Sequence, residues 1–177
     1  MTSSSASPSA VGLLEAAGCA DLPVDWSVIR LETLLSADRG ISVGVMYPGS
    51  HDPLGVPLIK AGDLDGNAIN PEPQFRISEA KHHEYRRSEL DGDELLVSLV
   101  GDIGRCTVTT AAMRGWNAAR AVAVVRFARP VDSHFVRLCL LSPPLQQLMK
   151  AWATTTVQAT LNLKEICQLP LPWPPLA

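Results

Sequence analysis

No stretch of this chain is apolar for long enough to cross a bilayer. Its longest apolar runs, such as Leu138 to Leu141 and Ala121 to Val125, fall far short of the roughly 20 residues a spanning helix needs. The start, Met1 to Ala10, holds no Lys or Arg and leads only into a brief apolar run from Val11 to Leu14. It therefore lacks the basic opening and longer apolar centre of a secretory signal. A cytoplasmic protein without a membrane partner is expected. Cysteine pairs are missing too: Cys19, Cys106, Cys139 and Cys167 are widely spaced and form no CxxC. Such cysteines read as small buried residues rather than metal ligands.

The usual catalytic signatures are equally absent. There is no GxSxG elbow, no HExxH and no P-loop ending in Gly-Lys-Ser or Gly-Lys-Thr, so neither nucleophilic hydrolysis, zinc peptidase chemistry nor nucleotide binding is indicated. His82 and His83 are adjacent, and neighbours on a helix point about 100° apart, a poor arrangement for one shared ion. Gly101-Asp102-Ile103-Gly104 sits between two strands, without the helix N-terminus that would make it a phosphate loop, and reads as a turn. Asp63 and Asp65, beside Gly66-Asn67, likewise read as a turn rather than a carboxylate pair. A non-enzyme without metal or cofactor is expected.

What the chain has is enough apolar material for one core. With 177 residues, 46% hydrophobic and 19% charged, it can offset the entropy of ordering without disulfides or metals. Net charge is −3, but it is segregated. Residues 1–102 carry sixteen acidic and seven basic side chains, and residues 103–177 two acidic and eight basic ones, for −9 and +6. Between Ile103 and Val131 there is no Asp or Glu, while Arg105, Arg114, Arg120, Arg126 and Arg129 all fall there. Such a stretch either neutralises phosphates or pairs with acidic neighbours elsewhere in the fold.

The patterning predicts an α+β fold: a curved, mostly antiparallel sheet with helices packed at one side. Residues 1–21 are expected to be a flexible tail with a short helix over Val11 to Ala17 ended by Gly18, and residues 22–177 one domain. Strands are predicted over Ser27 to Leu31, Ile41 to Tyr47, Val56 to Lys60, Glu94 to Val100, Arg105 to Thr110 and Ala118 to Phe127. A helical turn is expected over Glu32 to Ser36 and a helix over Ile77 to Arg86 with Ser78 as its cap. Two further helices are predicted over His134 to Leu141 and Leu145 to Ala153, separated by Ser142-Pro143-Pro144. Thr154, Thr155, Thr156 and Gln158 should form a polar loop, because consecutive β-branched hydroxyl residues are poor helix material. Asn162 should cap a turn through Ile166, and the prolines from Leu169 to Pro175 restrict the exit to an extended path.

Six segments stand out in order: Leu22-Pro23-Val24-Asp25-Trp26 with Leu31 behind it, Gly55 to Leu64, Leu90 to Ser98 with the Gly101 to Gly104 turn, Trp116-Asn117-Ala118-Ala119, Gln158-Ala159-Thr160-Leu161-Asn162-Leu163, and the exit Leu169-Pro170-Leu171-Pro172. Taken together they resemble the target recognition domain of type I restriction-modification DNA specificity subunits. The resemblance spans residues 22–176. The family's subunits carry two such domains separated by long helices, whereas this chain has one domain and no helical spacer. The resemblance implies that the domain reads one half of a split site on double-stranded DNA through the major groove, while partner subunits methylate or cut. The partners it implies are a methyltransferase (modification) subunit, a restriction subunit, and a second recognition domain or a second copy.

Phosphate contacts would set register and base-edge contacts would specify. On that division the candidates are Lys60 and Asp63 at a strand end, Asp102 and Arg105 flanking the second turn, Asn117 and Arg120 at the start of the last core strand, and Thr155, Thr156 and Gln158 in the third polar loop. Asp63 either caps its own turn or contacts a base, and Asn117 either fixes the backbone before its strand or reads one. The four tryptophans, Trp26, Trp116, Trp152 and Trp173, read as core or interface anchors. A protein-interaction or decoy module of the same fold, no longer reading DNA, is the alternative.

Overall fold

The computed structural model describes residues 9–19, 21–65, 68–155 and 158–175; Thr156 and the expected turn residues Gly66 and Asn67 lie outside them. In chain order the helices are α1 (Ala10–Ala16), α2 (Glu79–Glu84), α3 (Ser133–Leu141), α4 (Pro143–Trp152) and α5 (Leu163–Cys167). The strands are β1 (Ser27–Arg30), β2 (Ile41–Val43), β3 (Val56–Ile59), β4 (Arg76–Ile77), β5 (Leu95–Ser98), β6 (Cys106–Val108), β7 (Asn117–Ala118), β8 (Val122–Val125), β9 (Thr154–Thr155), β10 (Ala159–Thr160) and β11 (Pro170–Trp173).

An antiparallel sheet in the order β2-β8-β5-β6 forms the centre. Its inner strands are buried along their whole length, which is why they read as continuous apolar runs. Successive side chains of a strand point to opposite faces, and here each face meets its own core. Leu95 and Val97 of β5, with Ala123 and Val125 of β8, face a core built with Leu140, Leu145 and Met149 of α3 and α4. Leu96, Val122 and Val124 face the other way, into a core with Ile59, Leu64, Leu90 and Met113. The second face is covered by a smaller sheet, β4-β3-β7, in which β3 and β7 run parallel. The sheet thus sits between a helical layer and a second, short sheet.

Local chemistry fixes the ends of the elements. Ser78 caps α2 by accepting from the Lys81 N–H at 3.3 Å, and Asp132 caps α3 by accepting from His134 N–H at 2.8 Å, the usual way of satisfying orphan donors at a helix start. Pro143 opens α4, where its missing N–H is not needed. Helix α1 forms where a short helix was expected, and its Leu14 is buried in the first core, so Ala10–Ala16 is drawn onto the domain. The exit strand β11 pairs antiparallel with β1; Pro170 and Pro172 are tolerated because only one side of the strand is bonded.

Three elements differ from the expected pattern. The strand predicted over Ile41 to Tyr47 ends at Val43: Gly44 still bonds Val122 beyond the end of β2, but Val45 leaves β8 and bonds Ala118 of β7 instead. The strand predicted over Ala118 to Phe127 is divided by a turn at residues 119–121 into β7 and β8. The polar segment after α4 is a small hairpin, β9 against β10, rather than a loop; β-branched threonines suit a strand once a partner is present.

All four cysteines are free, and Cys106 and Cys139 are buried. Burial pushes the Cys106 thiol up to about 12, with Arg137 opposing, and the Cys139 thiol up to about 11. Because the thiolate is the reactive form, both should be nearly inert in the native protein at pH 8 and react fully in denaturant. Timed labelling with dithionitrobenzoate checks this; rapid native labelling at either residue contradicts it.

Candidate nucleic-acid interface

The turn between β7 and β8 places the most exposed of the candidate arginines. Its backbone is held on two sides: Ala119 N–H donates to Ile59 O at 2.8 Å, and Arg120 N–H donates to Val45 O at 2.9 Å. The Arg120 side chain is left in solvent, with no ion pair among the described residues. Two adjoining clefts meet there. One, of about 580 Å³, is lined by Met46, Val100, Arg120, Gln158, Thr160 and Asn162 among others. The other, of about 380 Å³, includes Met46, Pro48, Lys60, Ala119 and Arg120. Met46 and Arg120 belong to both.

Gln158 reaches this cleft because β10 is laid along the segment following β5. Leu161 N–H donates to Leu99 O at 2.9 Å, Gly101 N–H to Ala159 O at 3.4 Å, and Val100 bridges Thr160. Gln158 therefore stands beside the Gly101 turn, where its Nε2 lies 3.3 Å from the position a Cβ would take on Gly101. That turn is braced from beneath: Gln146 of α4 donates to Gly104 O at 2.9 Å and Leu140 O at 2.8 Å. Thr155 pairs with Ala159 across the hairpin, and Thr156 lies outside the described residues.

The remaining candidates divide between surface and interior. Lys60 is exposed, its Nζ 3.9 Å from the centre of the Phe75 ring, a cation–π contact that steadies the stem. Asp63 accepts from the Lys60 N–H at 2.7 Å and from Asn70 Nδ2 at 3.4 Å, so it caps its own turn. Asp65 does the same, accepting from Ala68 N–H at 2.6 Å. Asp102 and Arg105 pair with each other, Nε to Oδ2 at 2.6 Å, and Arg105 also donates to Leu64 O at 3.0 Å. This guanidinium ties the two turns together with its charge partly neutralised.

Asn117 is fully buried. Its Oδ1 accepts from Ser88 Oγ at 2.7 Å and its own chain's Ala118 N–H at 3.0 Å, and its amide donates to Tyr85 O at 3.3 Å. That geometry matches the backbone-fixing role, and it keeps Asn117 away from the clefts. The tryptophans are packed: Trp26 and Trp173 flank Phe135 at 6.2 and 5.6 Å, while Trp116 and Trp152 lie against the second and first cores.

The arginine-rich stretch is thus of mixed use. Arg126 is buried against Glu94 at 3.4 Å, Arg105 serves Asp102, and Arg120 faces the clefts. Met46 was not among the expected residues. Its signal in the sequence is a pair of large apolar side chains, Met46-Tyr47, placed directly before Pro48-Gly49, where no further strand can bury them.

Among the described residues no group of His, Cys, Asp and Glu could hold a metal ion, and no helix is long and apolar enough to cross a membrane. What remains is a mixed α/β domain presenting a cleft with cationic and amide side chains. Its fold is that of the recognition domains of type I restriction-modification specificity subunits. The S subunit from M. genitalium superimposes with a TM-score of 0.57 at 14% identity, over 86% of this chain and 35% of that one. The HsdS subunit from Thermoanaerobacter tengcongensis gives 0.56 at 16% identity, over 94% and 38%. A type I system structure concerned with complex assembly and conformational transition gives 0.61 at 18%, over 94% and 40%. In sequence the chain is 29% identical over 154 residues to the type I restriction enzyme EcoBI specificity subunit of Escherichia coli, covering 86% of this chain. The chain spans about a third of that relative's length. No family model matches. In sequence and in fold, then, the chain is a single domain similar to one recognition half of a type I specificity subunit.

Proposed function

We propose that this domain reads one half of a split site on double-stranded DNA as the specificity component of a type I restriction-modification or related DNA-modification system. The observation that carries this reading is the pair of adjoining clefts sharing Arg120, with Lys60 on one side and Gln158 on the other. In this reading a methyltransferase subunit, and with it a restriction subunit, supplies the chemistry, and the domain itself is not catalytic. A second recognition domain or a second copy reads the other half, and the protein works in the cytoplasm.

The division of labour is testable. Arg120 would hold a phosphate, so Arg120→Ala should weaken all sequences alike and flatten the dependence of log affinity on log salt by about one unit. Gln158 would pair its amide with adenine N6 and N7, so Gln158→Ala should relax preference at particular base positions, at a cost of about 1–3 kcal/mol. Both belong in a low-salt binding assay, or one with the methyltransferase partner present, since a half-site gives up the avidity of its linked second half. If affinity, specificity and salt slope are all unchanged in folded variants, these residues are structural and the domain is an interaction or decoy module.

A further inference from the structure

Met46 is a large apolar side chain left 40% exposed where two clefts meet, clefts with apolar floors whose polar side chains include Arg120 and Gln158 in one and Lys60 and Arg120 in the other. A lone exposed methionine is ordinary; its setting is not. The residue before it, Val45, is fully buried, donates to Ala118 O at 2.7 Å and accepts from Arg120 N–H at 2.9 Å. Gly44 is packed so closely on Ala118 that no side chain fits there. Met46 and Arg120 therefore leave the backbone from one locked junction, and Met46 lines both clefts beside that arginine. The larger cleft also holds the Gln158 amide.

These groups match the outline of an A·T pair in the major groove. Adenine offers N7 and N6 to an amide, and thymine adds a C5 methyl that only apolar atoms reward. The unbranched, polarisable methionine side chain suits that contact, since it adapts to a methyl without needing a shaped pocket. Resting on the DNA-reading function above, we propose that Met46 is a specificity residue that recognises a pyrimidine C5 methyl group in the same half-site as the base addressed by Gln158. The same chemistry is carried by thymine and by 5-methylcytosine, and the test separates them.

The test uses the full 177-residue chain at low salt and a duplex selected by it from a random pool. Each thymine is replaced in turn by deoxyuridine, which removes the methyl and keeps the base pairing. At one position the wild type should lose about three- to fourfold in affinity, the worth of one methyl taken out of water. Met46→Ala should bind the thymine duplex that much more weakly and show no discrimination there. Tyr47→Ser, a change at the exposed neighbour that lines neither cleft, should discriminate as the wild type does. In a second arm each cytosine is replaced by 5-methylcytosine; a gain confined to the wild type and Tyr47→Ser assigns the methyl to that base instead. Thermal unfolding confirms that Met46→Ala is folded. Methyl discrimination at every position equal in wild type and Met46→Ala, or none in the wild type, overturns the proposal while leaving DNA reading intact. Absence of salt-dependent duplex binding by the wild type overturns both.

Discussion

Replacing Glu94 with alanine should cost the fold about 3–5 kcal/mol, the range found when one partner of a buried ion pair is removed. Glu94 is only 2% exposed and has several tasks. Its carboxylate accepts from the N–H groups of Asp91 at 2.6 Å, Gly92 at 2.9 Å and Asp93 at 3.2 Å, and from Thr109 Oγ1 at 2.7 Å. It also faces the Arg126 guanidinium. Alanine leaves that cation buried and opens the turn that precedes β5. Burial alone would push the Glu94 carboxyl up; the hydrogen bonds from Asp91, Thr109 and Gly92, with the charge of Arg126, outweigh it and hold the group below its ordinary 4.5. A depressed carboxylate contributes its stability above the unfolded-state value and loses it as pH falls through the folded one. Wild-type stability should therefore drop below about pH 4.5, and Glu94→Gln should lack that part of the drop. Urea titrations from pH 3 to 7 measure both; an alanine variant within about 0.5 kcal/mol of wild type, the ordinary range for a surface change, would refute the structural role.

Gly44→Ala should be nearly as damaging, for a different reason. An added Cβ would stand 1.9 Å from Ala118 O and 2.6 Å from Ala119 O, and backbone cannot swing aside as a side-chain tip does. Relief requires parting residues 44–45 from 118–120, which breaks the hydrogen bonds that align Met46 with Arg120. Overpacking costs about 1–3 kcal/mol, and a clash with main chain belongs at the upper end. For a domain of this size that is a fall of roughly 6–12 °C in melting temperature, accompanied by a loss of DNA binding greater than the stability change explains. Gly62→Ala is the control, because nothing lies within 4 Å of its Cβ position and it should melt like the wild type. Equal melting and binding for Gly44→Ala and wild type would show that the junction is slack.

The central strands were legible because Leu95 to Val97 and Val122 to Val125 are apolar on both faces, and only burial on both sides explains such runs. The helices α3 and α4 were legible through their spacing and the Ser142-Pro143-Pro144 break between them. The hairpin of β9 and β10 was not, since Thr154 and Thr155 gain strand character only from a partner that approaches in the folded chain. Nor was the parallel contact of β3 with β7, which joins residues nearly sixty positions apart. At the site, Arg120 and Gln158 were named from residue type and local context, and the fold brings them to one cleft. Met46 escaped because a strand was expected to continue through it, and only the departure of the chain from β8 at Val45 leaves it outside. Asn117 stayed open between two roles for a related reason: a polar residue before a strand has the same sequence signature whether it faces water or, as here, bonds Ser88 and Tyr85 in the interior.

The pairing of β1 with β11 has a consequence for how such a unit can be carried. Ser27 lies opposite Trp173, so the chain enters and leaves through neighbouring strands, about 4.8 Å apart. From β1 to β11 the chain forms an overgrown hairpin: two adjacent strand ends, with the central sheet and the clefts hanging beyond them and α1 packed against the pair from outside. Exchanging everything between those strands for another sequence of the same architecture would leave the strands themselves undisturbed. A unit built this way can be replaced as a cassette without re-engineering what holds it.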